Sequence, residues 1–143
     1  MKKNIFALAL LLFLSGCGVT QKNVIFHAQN GDYVIRAEIA DTETEWERGL
    51  MYRKKLEEKH GMLFIYPDEA VRSFWMKDTL IPLDMIFIDG TGKIMNIASN
   101  VQPCKTDPCE IYKSSTAAKY VVEIAAGESA KHGITADNFV EFK

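Results

Sequence analysis

The chain has 143 residues, 48% hydrophobic and 25% charged, with nine glycines and four prolines. That is the composition of a single globular domain, and it excludes a disordered, collagenous or low-complexity protein. A formal charge of −2 and a pI near 5.9 provide no basic surface, so no nucleic acid is expected among its partners.

In chain order, the first feature is a basic start, Met1-Lys2-Lys3, followed by ten uncharged apolar residues from Ile5 to Leu14. Ten helical residues rise about 15 Å, half of a hydrocarbon core of about 30 Å. The run suits the central part of a secretory signal rather than a stable span. Leu14-Ser15-Gly16-Cys17 comes next and resembles the lipobox of bacterial lipoproteins. That resemblance implies removal of residues 1–16, a diacylated sulfur on Cys17, an acylated new amino terminus and a lipid anchor in the cell envelope. Two or three acyl chains at about 0.8 kcal/mol per buried CH₂ make such an anchor effectively permanent. Gly18, rather than Asp, follows the cysteine. In a Gram-negative source this resembles sorting to the outer membrane, facing the periplasm. Residues 17–23 then form the lipid-anchored spacer and residues 24–143 the folded domain, expected as a monomer.

Val24–Ala28 is a short β-type run, and Asn30-Gly31-Asp32 is a turn signal before Tyr33–Ile39. In that second run Tyr33, Ile35, Ala37 and Ile39 alternate with Val34, Arg36 and Glu38, the pattern of a half-exposed strand. The period then changes. Thr42 with Glu45 reads as a capping box, and Trp46, Leu50 and Met51 share a helical face, so a short helix is expected, ended or bent at Gly49. Lys54–Lys59 is solvated charge. Gly61–Tyr66 reads as a buried strand stopped by Pro67-Asp68, and Ser73–Met76, Leu83–Ile88 and Lys93–Ala98 as further strands. Asp89-Gly90-Thr91-Gly92 makes the last of these connections a hairpin. Residues 99–118 form the longest irregular stretch. Tyr120–Ala125 is another strand, Gly127–His132 one or two helical turns closed by Gly133, and Asn138–Phe142 a final strand. Seven or eight short strands predict a mainly β, α+β fold with short helices: an antiparallel β-sandwich or barrel-like single domain.

With Cys17 lipidated, two thiols remain, Cys104 and Cys109, separated by four residues that include the turn signal Asp107-Pro108. Outside the cytoplasm the default for such a pair is a structural disulfide. A metal would need two further ligands, and His27, His60 and His132 are scattered singly, so no metal site is expected. A redox-active pair more often has two intervening residues at a helix start.

Three segments carry a family resemblance: Arg48–Leu56, Gly61–Phe64 and Phe74–Gly90, the last containing Phe74-Trp75-Met76-Lys77 and Ile81-Pro82-Leu83-Asp84. With Tyr112–Ser114 and Val121–Gly127 they resemble the domain of unknown function 192 family over about residues 24–142. The resemblance implies a compact, mainly β domain and no established reaction. Asp78 stands where that motif usually reads Asn, and a carboxylate cannot donate as an amide does. Asp137-Asn138 stands where a Gly-Asp pair is common.

Few residues are placed to carry chemistry. Asp84 interrupts an apolar run, where a carboxylate must be hydrogen-bonded, paired or protonated. Its first reading is an acceptor of backbone N–H groups; its second is a ligand-binding or general-base role. Arg48 and Lys77 are the motif cations. Trp75 is either core or the stacking wall of a groove for sugar or aromatic ligands. These four, Arg48, Trp75, Lys77 and Asp84, are the candidate ligand-binding residues. There is no nucleophile elbow, Walker loop or His-Glu-x-x-His. No catalytic residue is therefore named and no cofactor is expected. The sequence favours a binding or accessory module of the envelope, taking a small molecule or an envelope component. The alternative is an envelope hydrolase using Asp84 with Lys77 or Arg48.

Overall fold

The computed structural model describes residues 20–143; the expected signal peptide and the expected lipidation site Cys17 lie outside the described residues. The order is β1 (Gln21–Ala28), β2 (Gly31–Ala40), α1 (Glu43–Arg48), β3 (His60–Ala70), β4 (Ser73–Phe74), β5 (Leu83–Ile88), β6 (Ile94–Val101), β7 (Tyr112–Lys113), β8 (Ala118–Ala125), α2 (Glu128–His132) and β9 (Phe139–Phe142). Seven strands form one sheet in the order β6-β5-β8-β3-β2-β1-β9, and β4 pairs with β7 in a small second sheet. Every pairing in the large sheet is antiparallel except β2 with β3, which α1 and the following segment connect.

The sheet curls until its edges meet. Lys93 bridges Phe139, and the N–H groups of Ile94 and Val140 reach the carbonyls of Asn138 and Gly92 at 2.9 and 2.8 Å. This is a half-barrel rather than a sandwich. One buried cluster takes residues from all seven strands, among them Val24, Ile35, Leu63, Ile86, Ile94, Val122 and Val140, as the inside of a curled sheet must. The other face is covered only over its central strands. There Met62, Phe64, Met85, Phe87 and Val121 pack under Leu50, Met76 and the segments around them. The two-residue period therefore separates two cores. It also explains why all six residues of β5 are buried, an apolar run broken only by Asp84.

Most expected elements are present, with corrections at the spacer, at Pro67 and in two later segments; Gln21–Asn23, expected in the spacer, pair with β2 as the start of β1. The strand does not stop at Pro67-Asp68; β3 continues to Ala70 through an irregularity between Ile65 and Ala70 that absorbs the proline. Ser73–Met76 is not a full strand, since only Ser73 and Phe74 pair, and their partners Lys113 and Tyr112 come from the stretch expected to be irregular. Phe64, Phe87 and Ile124 are buried as expected. Phe74 is half-buried, edge-on to Phe64 and Phe87 with centroids 5.0 and 5.9 Å away.

Candidate functional site

α1 begins as its sequence requires. The Thr42 hydroxyl accepts the Glu45 N–H, while the Glu45 carboxylate accepts the N–H groups of Asp41 and Thr42. Trp46 is anchored by its indole N–H on the Ala40 carbonyl at 2.9 Å and lies against Tyr66, centroids 4.7 Å apart. Gly49 ends the helix at φ 45°, and a Cβ there would sit 3.3 Å from the Phe64 ring and 3.9 Å from a Glu123 carboxylate oxygen. A side chain at this position would be strained and crowded, so glycine lets the chain cross low over the sheet. Beyond it, Arg53 forks onto Glu38 of β2.

The facing wall comes from the connection between β4 and β5. Alternation buries Met76 and leaves Trp75 48% exposed. Lys77 lies over the Trp75 ring at 5.6 Å, within cation–π range. Asp78 adopts φ 54°, a left-handed conformation that Asn and Asp tolerate best. Its carbonyl accepts the Tyr52 N–H at 2.8 Å and its carboxylate accepts the Tyr52 hydroxyl at 3.1 Å. The position only accepts hydrogen bonds, so the carboxylate here does what an amide oxygen would.

Between these walls lies an open cleft of ≈ 680 Å³, with Trp46, Tyr66 and Trp75 as its aromatic surfaces and Glu47, Arg48, Lys77 and Asp78 as its charges. A crevice of ≈ 30 Å³ shares Trp46, Glu47, Arg48, Met51 and Trp75 with it and reaches Glu123. Glu123 is 4% exposed. It stands on β8 between Met62 of β3 and Met85 of β5. No described residue hydrogen-bonds or ion-pairs with its carboxyl group, and burial pushes that group up to about 8.

The structure thus brings Arg48, Trp75 and Lys77 together and leaves Asp84 out. As a cleft residue Asp84 is corrected: it faces the opposite side of the sheet and is fully buried. One carboxylate oxygen accepts the Asn100 N–H at 2.7 Å, both accept the Gly127 N–H at 3.1 Å, and the other accepts the Ser129 N–H and hydroxyl. A bulge in β6 opposite Asp84 directs the Asn100 backbone N–H at it, and the carboxylate caps α2, whose own N-cap residue is a glycine. The hydrolase pairing of Asp84 with Lys77 or Arg48 has no geometric basis here. Glu123 is the residue that sequence reasoning missed. Its signal was an acid between Val122 and Ile124 in a strand, the same argument that drew attention to Asp84. Among the described residues no three His, Cys, Asp or Glu side chains gather to hold a metal.

Residues 25–142 match DUF192, described as "Uncharacterized ACR". The chain belongs to the DUF192 family. Two solved structures share the DUF192 chain's fold at useful identity. One is a protein of unknown function from Novosphingobium aromaticivorans DSM 12444, 33% identical, covering 89% of each chain with a TM-score of 0.82. The other is a candidate transcription regulator from Sinorhizobium meliloti 1021, 31% identical, covering 87% of this chain and 95% of that one with a TM-score of 0.81. No curated protein matches the DUF192 chain. The motif residues divide by role. Gly49, Asp78 and Asp84 shape the backbone, whereas Arg48, Trp75 and Lys77 are presented to solvent in the cleft.

Proposed function

We propose that this DUF192 protein is a lipid-anchored cell-envelope protein whose cleft binds a small polar molecule. The observation that carries the reading is the cleft itself: three aromatic surfaces, four charged rim residues, and an unpartnered carboxyl at the end of a side crevice. Concave sites with aromatic walls and a few convergent polar groups are where small ligands bind. Trp75 is 48% exposed and presents its ring to this cleft. The anchor is the acylated Cys17, with residues 1–16 removed and the domain facing the periplasm if the source is Gram-negative. The regulator description belongs to the Sinorhizobium protein and is not carried over.

The test is a small-molecule screen read by thermal unfolding, run on the wild-type chain and on Trp75→Ala. Compounds that raise the melting temperature of the wild type but not of the variant are expected. A screen in which every stabilising compound acts equally on both proteins overturns the reading.

A further inference from the structure

We infer that the cleft is a saccharide site, in which a pyranose ring stacks on Trp75 and extends one hydroxyl group into the crevice to the Glu123 carboxyl. This rests on the small-molecule reading above and deepens it. The crevice of ≈ 30 Å³ holds roughly one or two water-sized groups. It is large enough for a hydroxyl and too small for a ring, while the ≈ 680 Å³ cleft beside it takes the rest of the molecule. At its end is a carboxyl group with no partner among the described residues, in a residue only 4% exposed. The carboxyl lines the crevice without a protein hydrogen bond, and a ligand hydroxyl there supplies one.

Charge decides between ligand classes. The rim carries two acids, Glu47 and Asp78, and two bases, Arg48 and Lys77, and Glu47 and Arg48 also line the crevice. A cationic group entering there meets Arg48, and an anionic group meets Glu47. A neutral ligand rich in hydroxyl groups meets neither penalty. Burial keeps Glu123 protonated up to about pH 8, and a neutral carboxyl both donates and accepts, as a hydroxyl does. The exposed indole of Trp75 provides the flat apolar surface that the C–H face of a sugar ring covers.

Both tryptophans of the chain line the cleft, so intrinsic fluorescence reads binding directly. The full chain, purified in a detergent without a sugar headgroup, is titrated with chitotriose and cellotriose, and with choline and glycylglycine as charged comparators. At least one oligosaccharide is expected to bind. Its affinity should fall about tenfold or more in Trp75→Ala and in Glu123→Met, which keeps bulk and removes hydrogen bonding, but much less in Glu123→Gln. Failure of both oligosaccharides to bind at about 10 mM overturns the saccharide assignment, as does equal binding by Glu123→Met and wild type. If a comparator binds in a Trp75-dependent way while the sugars do not, the saccharide assignment falls and the cleft stays a small-molecule site. If no compound shows Trp75 dependence, both readings fall.

Discussion

Two carboxylic acids buried in one sheet, Asp84 and Glu123, have opposite fates because their side chains leave adjacent strands on opposite faces. They lie one register step apart on β5 and β8, where Asp84 pairs with Ile124 and Met85 with Glu123. Asp84 is saturated by three N–H groups and a hydroxyl. Asp84→Asn replaces an acceptor by an amide whose NH₂ faces those donors. It should lower unfolding free energy by about 1–3 kcal/mol in urea melts, with ligand affinity at the cleft unchanged. Glu123 is not saturated, and its folded value of about 8 stands above its ordinary 4.5. The folded state therefore holds a proton that the unfolded state has lost across that window, and stability must fall as pH rises from about 4.5 to about 8. The slope from this group approaches about 1 kcal/mol per pH unit mid-window. Glu123→Gln removes the ionisation, so urea midpoints followed from pH 5 to pH 9 should decline less in the variant than in wild type. Parallel declines would mean that Glu123 is ionised throughout.

Among the elements, the most consequential joint is the seam that turns an open sheet into a half-barrel. It rests on the short contact of β6 and β9, and at its centre Gly92 has φ 91° with the Val140 carbonyl only 2.6 Å from where a Cβ would be. Gly92→Ala must move backbone and adopt a strained conformation, at a cost of about 2 kcal/mol or more. Hydrogen exchange should show the Ile94 and Val140 amides losing protection while β3 and β8 keep theirs. Uniform loss across the sheet would show instead that the seam does not open separately. α1 is local by contrast. Its capping box, its terminating Gly49 and its placement of Trp46 follow from Thr42–Gly49 and the Ala40 carbonyl.

For the whole molecule, the proposed envelope location and the cysteine chemistry belong together. The sulfurs of Cys104 and Cys109 lie 2.11 Å apart, at disulfide distance, and the Cys104 N–H reaches the Met76 carbonyl at 3.3 Å beside the cleft wall. Peptide mapping of envelope material without reductant should recover the two cysteines linked, and freely alkylating thiols would contradict the pairing. The proposed lipidation of Cys17 has its own test. Cys17→Ser should abolish acylation and release the chain from the membrane fraction. A serine variant that is still cleaved after Gly16 and still sediments with membranes would remove the anchor from the proposal.

Local chemistry alone determined a good deal. The alternation of Tyr33–Ile39, the capping box at Thr42, the Gly133 cap of α2 and the apolar run of β5 are all near-neighbour effects, and each is where the residues require it. So is the demand that a carboxylate at position 84 find donors. The tertiary structure decided matters that depend on residues distant along the chain. It closed the sheet through Lys93 and Phe139, carried β3 past Pro67, and paired Phe74 with Tyr112. It also grouped Trp46 and Arg48 with Trp75 and Lys77 while sending Asp84 to the other face. The physical reason is that a strand's period states which residues share a face, but not which face its neighbours will cover or leave open. Glu123 and Asp84 look alike in sequence, each an acid among apolar residues. Only the crevice beside Glu123 made it a candidate binding group, and only the packing of α2 and its preceding turn against Asp84 made that residue a cap.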